Sequence, residues 1–388
     1  MKIMFSAGEA SGDVHAASVA KALTALDPSV ELFGMGGDLM RQAGVDIIYD
    51  IKNLGVIGVV EILKSLPKFF TLRTFLKEAM LREQPDVLVC VDYPGFNMKL
   101  AKVAKDLGIP VVYYIAPTIW AWHKRRGKDI PKTVTKVASI FPFEADAYRK
   151  YQCDVEFVGH PLLDIVKPSI TRQEAYAYFG TSAAYKNVLL MPGSRKQEVM
   201  SLLDLMLQSA ERFLKAHQGD DALGKGLKFF LPRAHTIDCS DLEEIIAKHS
   251  LDVTITEDKT YDLMGICQVC LAASGTATLE TALMDLPTIL LYRLSPVTYV
   301  LGKLLVDLTW VGLPNIVAGR EVIPELLQGA VKPDNIVRLM TPLLLDLDAN
   351  EAMRRDLRDV KDKLGGSGAV KRVAELVLNV GKGNSHEK

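Results

Sequence analysis

Four short stretches of this sequence place glycine or proline beside polar side chains directly after an apolar, strand-like run. Each has the form of a strand–turn–helix corner, where unpaired N–H groups and the positive end of a helix dipole meet anions. The first is Gly8-Glu-Ala-Ser-Gly-Asp13, whose small residues allow close backbone approach and whose Glu9, Ser11 and Asp13 supply polar groups. The second, Asp92-Tyr-Pro-Gly-Phe-Asn97, sets Asp92 at the end of a buried-type strand, where it can act as general base toward a hydroxyl. Pro192-Gly193-Ser194-Arg195 combines a tight turn with a cationic fork at a helix start, which suits a diphosphate. Ser274-Gly275-Thr276-Ala-Thr278-Leu-Glu280 crowds hydroxyls into another first helical turn. Ordinary helix capping is the alternative at every corner. The last two corners lie at matching strand ends of one half, so a shared anion accounts for both. A diphosphate leaving group needs charge stabilisation from Arg195 and helix dipoles, so a single carboxylate suffices.

The elements that must position these corners are legible as apolar runs alternating with helical patterns. The runs are Lys2–Ser6, Val30–Phe33, Val87–Val91, Val111–Tyr114, Val155–Val158, Val188–Met191, Leu227–Leu231, Val269–Ala273 and Thr288–Leu291. Runs apolar on both faces suit central parallel strands covered by helices, and their alternation predicts a doubly wound α/β architecture. After Val158 comes a Pro/Gly-bearing linker, Gly159 to Pro168, and a second α/β series restarts at Val188. The expected division is a domain over 1–165, a second over 166–345 and closing helices over 346–388. Those helices are expected to pack back on the first domain or on a partner chain. Two such halves put a ligand cleft between the carboxyl ends of their sheets.

Composition narrows the function classes. The 388 residues carry 46 Lys+Arg against 47 Asp+Glu, so no global basic excess exists to hold a nucleic acid. Hydrophobic residues at 49% exclude disorder as the main state. Cys90, Cys153, Cys239, Cys267 and Cys270 are odd in number and read as core thiols, not a disulfide framework or a zinc site. No leader or membrane-spanning run is expected, which points to a cytoplasmic protein. Gly34-Met-Gly36-Gly37 lacks the last glycine of a dinucleotide fingerprint and no P-loop occurs, so nicotinamide and P-loop chemistry are disfavoured. The histidines show no mutual ligand spacing and receive no role, beyond His160 as a hinge or cleft wall.

Together with Pro117-Thr-Ile-Trp-Ala-Trp122, Phe141-Pro-Phe-Glu144, Val158-Gly-His-Pro-Leu162 and Leu313-Pro-Asn-Ile-Val-Ala-Gly319, these corners resemble the lipid-A-disaccharide synthases in order over nearly the whole chain. The resemblance implies a GT-B glycosyltransferase with two facing Rossmann-like domains. It implies inverting transfer of 2,3-diacylglucosamine from UDP-2,3-diacylglucosamine to the 6-hydroxyl of 2,3-diacylglucosamine 1-phosphate, giving a β-1,6 disaccharide and UDP. Carried over, Asp92 is the base. Gly193, Ser194, Arg195, Ser274, Gly275, Thr276 and Thr278 hold the diphosphate, Glu280 the ribose, and Asn315 helps close the donor site. Glu9, Ser11, Asp13 and Asn97 lie on the acceptor side. No metal or other cofactor is implied, and Asp346-Leu-Asp348 reads as surface. Acylated substrates call for a lipid-facing surface. The stretch Ile57–Arg82 interleaves Lys64, Lys68, Arg73, Lys77 and Arg82 with Leu63, Leu66, Phe69, Phe70, Leu72, Phe75 and Leu76. Such a stretch fits the anionic inner face of the inner membrane, with a core-facing helix as the alternative. A homodimer is possible. Rivals are another UDP-sugar GT-B enzyme, either a hexosamine transferase with a different lipid acceptor or a UDP-sugar epimerase, and a binding module without catalysis.

Overall fold

The structure, a computed structural model, describes residues 1–54, 59–120, 124–294 and 309–385. Trp122 and His123, and the side chains of Leu63, Lys64 and Leu66, lie outside the described residues. The chain divides into two units, one of Met1–Pro161 with Gly365–Lys388 and one of Leu162–Leu364.

The first unit holds a parallel sheet of β1 (Lys2–Ala7), β2 (Glu31–Gly36), β3 (Asp46–Asp50), β4 (Val87–Val91), β5 (Val111–Tyr114), β6 (Lys136–Ser139) and β7 (Val155–Phe157). Its order is β3-β2-β1-β4-β5-β6-β7, with Phe5 paired to Val89 and Val91 to Tyr114. The second holds β8 (Lys186–Met191), β9 (Leu227–Pro232), β10 (Val253–Thr256), β11 (Val269–Ala273), β12 (Thr288–Tyr292) and β13 (Glu325–Leu327) in the order β10-β9-β8-β11-β12-β13. Every residue of β4 and of β11 is buried, as central parallel strands require. Both sheets reverse their winding beside the first strand, between β1 and β4 and between β8 and β11. All four corners named above open at those two switch points, where the chain leaves the sheet in opposite directions and exposes its loops.

Helices α1 (Ala10–Leu26), α2 (Asp38–Gln42), α3 (Val59–Glu83) and α4 (Pro94–Asp106) serve the first sheet. Leu72, Leu76 and Met80 of α3 join Leu100 and Ala104 of α4 in a core under Met4, Leu88, Val111 and Tyr113. In the second unit the Lys196–Ala216 helix buries Leu202, Leu203, Met206 and Leu207 against Val188, Leu190 and Leu271. Cys267 and Cys270 are buried free thiols on the opposite face of that sheet. The closing helical segment is split between the units. Arg354 of the Leu347–Lys363 helix donates to the carbonyls of Asp285 (2.8 Å) and Cys267 (3.2 Å), holding that helix to the second unit. The Ala369–Ser385 helix packs on α1 and β4, with Arg372 donating to the Val158 carbonyl at 2.7 Å.

The basic–aromatic stretch is also split, by the two faces of α3. Leu72, Leu76 and Met80 are core, whereas Phe70 is 55% exposed with the Arg73 guanidinium 5.0 Å from its ring centre. Phe69 turns inward onto Tyr93 and Phe96, at ring separations of 6.5 and 6.2 Å. Phe69→Ser is therefore expected to lower stability by about 2 kcal/mol, less than the ~3–5 kcal/mol of a fully buried phenylalanine. Phe70→Ser is expected to leave the thermal midpoint within a degree or so of the parent (an exposed position, about ±0.5 kcal/mol). Paired melting curves check the contrast, and equal large losses would place both rings in the core.

Candidate active site

In the first unit the site starts from strained backbone. Asp92 and Tyr93 follow β4 with φ of 49° and 51°, the left-handed region that costs non-glycine residues about 1–3 kcal/mol. Hydrogen bonds hold them there. The Asp92 N–H donates to the Tyr114 carbonyl (3.1 Å), and its carbonyl accepts from Asn97 Nδ2 (2.8 Å) and the Tyr113 hydroxyl (3.0 Å). Asn97 also donates to the Ser6 and Val91 carbonyls (3.0 and 3.2 Å) and accepts from the Ser6 hydroxyl (2.6 Å). It is wholly buried, so it ties the ends of β1 and β4 together instead of facing an acceptor. Asp13 is similarly occupied. Its carboxylate accepts from the N–H groups of Gly37 (2.7 Å), Leu39 (3.0 Å) and Met40 (3.2 Å), capping α2.

What remains open at this switch point is Glu9, Ser11, Asp92 and His15. Glu9 takes the N-cap position of α1 without a side-chain cap bond, and Glu9 and Ser11 are exposed. Partial desolvation and then the Asp92 charge raise the Glu9 carboxyl. Burial raises Asp92, opposed by the Tyr93 N–H and by His15. Burial lowers His15, whose ring stands edge-on to Tyr114 at 6.2 Å. Tyr93 closes the corner from above, because a Cβ on Gly8 would lie 2.1 Å from its ring. A half-buried carboxyl with a raised pKa, beside a second carboxyl, can accept a proton from an incoming hydroxyl.

In the second unit Gly193, Ser194, Arg195, Ser274, Gly275, Thr276 and Glu280 line one pocket, with Arg233, Lys259 and Tyr261. Gly193 has φ 117°, which a side chain would strain, and the Thr236 hydroxyl donates to the Ser194 carbonyl at 2.5 Å. Two helix starts, those of Lys196–Ala216 and Thr276–Leu283, thus meet four basic residues, Lys167, Arg195, Arg233 and Lys259, an arrangement that suits a diphosphate. Burial raises Glu280, and burial together with Glu280 lifts Tyr261 to about 12. Thr278 and Asn315 do not share this pocket. The Thr278 hydroxyl donates to the Gly275 carbonyl (2.8 Å), closing its own helical turn. Buried Asn315 donates to Ile323 and Glu325 and accepts from the Val322 and Ile323 N–H groups, fastening a loop. Among the described residues no group of three His, Cys, Asp or Glu is arranged to hold a metal. Asp346 caps the Leu347–Lys363 helix.

A family model for lipid-A-disaccharide synthetase matches residues 3–378. Relatives described as lipid-A-disaccharide synthase in Trichlorobacter lovleyi and Geobacter sulfurreducens are 41% and 40% identical over 379 residues, covering 98% of this chain and 97% of each relative. The chain belongs to the lipid-A-disaccharide synthetase family. It is accordingly a glycosyltransferase of lipid A biosynthesis. Solved structures show the GT-B type of fold. A UDP-GlcNAc 2-epimerase from Neisseria meningitidis superposes with TM-score 0.64 at 14% identity, over 98% of this chain and 100% of that one. MurG from Acinetobacter baumannii gives 0.60 at 16%, over 97% and 99%. At such identities the likeness concerns the fold alone, so the epimerase match does not compete with the family assignment.

His15, Arg233, Lys259 and Tyr261 are the residues that sequence reasoning passed over. His15 follows Ser11 by four positions and so shares its face of α1, a readable signal. The other three follow β9 and β10, where no recognisable turn chemistry marks them. The Asn97 tie has a direct consequence. Asn97→Leu keeps the volume but strips partners from the Ser6, Val91 and Asp92 carbonyls. It is expected to cost at least about 2 kcal/mol, at ~1–3 kcal/mol per buried unsatisfied group. Denaturant unfolding checks this, and a loss under ~0.5 kcal/mol would mean that the corner holds without it.

Proposed function

We propose that the first unit binds 2,3-diacylglucosamine 1-phosphate and that Asp92 is the general base of the transfer. Asp92 takes the proton from the acceptor 6-hydroxyl as that oxygen attacks the anomeric carbon of UDP-2,3-diacylglucosamine. The bond from that carbon to the diphosphate breaks with inversion, leaving a β-1,6 linkage. The departing charge on UDP is met by Arg195, by the N–H groups around Gly193, Ser194 and Gly275, and by the Ser274 and Thr276 hydroxyls, with Glu280 on the ribose. Glu9 and Ser11 lie on the acceptor side. The observation that carries this reading is the Asp92 carboxyl, raised by burial at the switch point of one unit, while the pocket at the other unit's switch point is lined by two arginines and two lysines.

Acylated substrates also require access to lipid. Among the described residues no helix is long and apolar enough to cross a membrane. The exposed Phe70 and Phe75 on α3, rimmed by Arg73 and Lys77, support a peripheral contact with an anionic inner-membrane surface. Phe70→Ser is therefore the variant to sediment with anionic vesicles, and unchanged binding would remove this face from the contact.

Incubation with the diacylated UDP-sugar, with and without acceptor, separates transfer from epimerisation: UDP and disaccharide are expected only when acceptor is present. Asp92→Asn is expected to lower kcat by about 10²–10⁴. Its melting midpoint should equal or exceed the parent's, because the amide relieves a desolvated charge. The base works as a carboxylate, so activity falls as pH drops through its pKa. Since that pKa is raised, the acid limb of kcat is expected above the ~4 of an ordinary carboxyl. Near-parent turnover of Asp92→Asn would move the base elsewhere. Arg195→Ala is expected to weaken UDP binding and slow transfer together, as a group that meets charge in both ground and transition states does. Unchanged UDP affinity would move the diphosphate to another corner.

A further inference from the structure

The turn assigned to the diphosphate already carries a carboxylate. Glu198 stands in the third position of the Lys196–Ala216 helix and folds back over the turn that precedes it. Its Oε1 accepts from Arg195 Nη1 at 2.7 Å, and its Oε2 accepts from the Ser194 N–H at 3.3 Å. A Cβ built on Gly193 would lie 2.5 Å from the same Oε2, so the carboxylate rests directly on the glycine that opens the turn. Glu198 lines the pocket with these residues, and the Arg195 side chain is otherwise 81% exposed. Backbone N–H and guanidinium are the two donor types that an incoming phosphate oxygen would use.

We propose that Glu198 is a built-in competitor for the donor's diphosphate, holding the anion position until UDP-sugar displaces it and reclaiming it as UDP departs. The proposal rests on the reading of this turn as the diphosphate site. A carboxylate and a diphosphate cannot share one arginine and one N–H without like-charge repulsion, so the side chain must swing away on binding. The exchange weakens donor and UDP by the same factor, which opposes product retention without favouring the transition state over the ground state. Glu198 is thus a positioning residue whose charge sets how tightly the uridine diphosphates are held. An ordinary helix cap predicts unchanged UDP affinity on neutralisation, because a cap needs only an acceptor oxygen.

Glu198→Gln separates the two roles. The amide oxygen can still accept from Ser194, but the charge that binds Arg195 is gone. Calorimetric titration of the full chain with UDP and with uridine is expected to show UDP tightened about three- to fivefold, the scale of one partly exposed ion pair. Uridine affinity should be unchanged. The KM for donor and the inhibition constant of UDP should fall together, and the tightening should vanish in an Arg195→Ala background. Glu198→Asp, which keeps the charge with a shorter reach, is expected to fall between parent and Gln, and it carries the test should the Gln variant melt early. UDP binding that is unchanged or weakened by Glu198→Gln would overturn the competitor role. UDP binding that is indifferent to Arg195→Ala alone would overturn the site reading, and the competitor with it.

Discussion

The chemistry of the first unit hangs on one buried amide. Asn97 ties the carbonyls of Ser6, Val91 and Asp92 and takes the Ser6 hydroxyl in return, so two strand ends and a strained turn share one side chain. Without such ties a left-handed pair of non-glycine residues would relax toward ordinary turn geometry. With them, the Asp92 carboxyl is held half-desolvated beside Glu9 and His15. Position and proton affinity therefore have a common cause: the tie fixes the backbone, and the fixed backbone sets the burial that raises the carboxyl.

The two units solve opposite electrostatic problems at the same place in their sheets. The first gathers the Glu9 and Asp92 carboxyls at its switch point, which favours a group that takes up a proton. The second gathers Lys167, Arg195, Arg233 and Lys259 around two helix starts, which favours a multiply charged anion. Glycine serves both by letting neighbours approach: Tyr93 lies on Gly8 in one unit, and Glu198 lies on Gly193 in the other. The same small residue thus admits an aromatic ring beside Asp92 in one unit and a carboxylate over the Ser194–Arg195 turn in the other.

How much of this was legible depends on how strongly one physical term dominated. Val87–Val91, Val111–Tyr114 and Val269–Ala273 are readable to the residue because strands buried on both faces admit only apolar side chains. β3, with aspartates at both ends and half-buried residues between, and the four-residue strands β6 and β10 give no comparable run. The corners were legible as places, and less so as roles. Asp13, Asn97, Thr278 and Asn315 have the types and spacing of ligand contacts, yet each spends its polar atoms on backbone or neighbouring loops. Which way a short polar side chain turns depends on the partners that the fold brings near, such as Gly37 for Asp13, and those are remote in sequence. The closing helices were legible as helices but not as belonging to different units, since the switch at Gly365 leaves no mark in periodicity.

The split of those closing helices bears on how the chain is made. The second unit is one uninterrupted stretch, Leu162 to Leu364, inserted into a first unit that resumes only at Gly365. As the chain leaves the ribosome at ~5–20 residues per second, both sheets have all their strands before Gly365 emerges, but only the inserted unit then has all its elements. The unit that was begun earlier must wait with one face of α1 and β4 uncovered until the Ala369–Ser385 helix emerges. Nascent chains stopped short of that helix would carry a finished second unit beside an unfinished first one, exposing apolar surface to chaperones and proteases. Completion of the first unit thereby depends on the Gly365–Lys388 segment, far in sequence from either switch point.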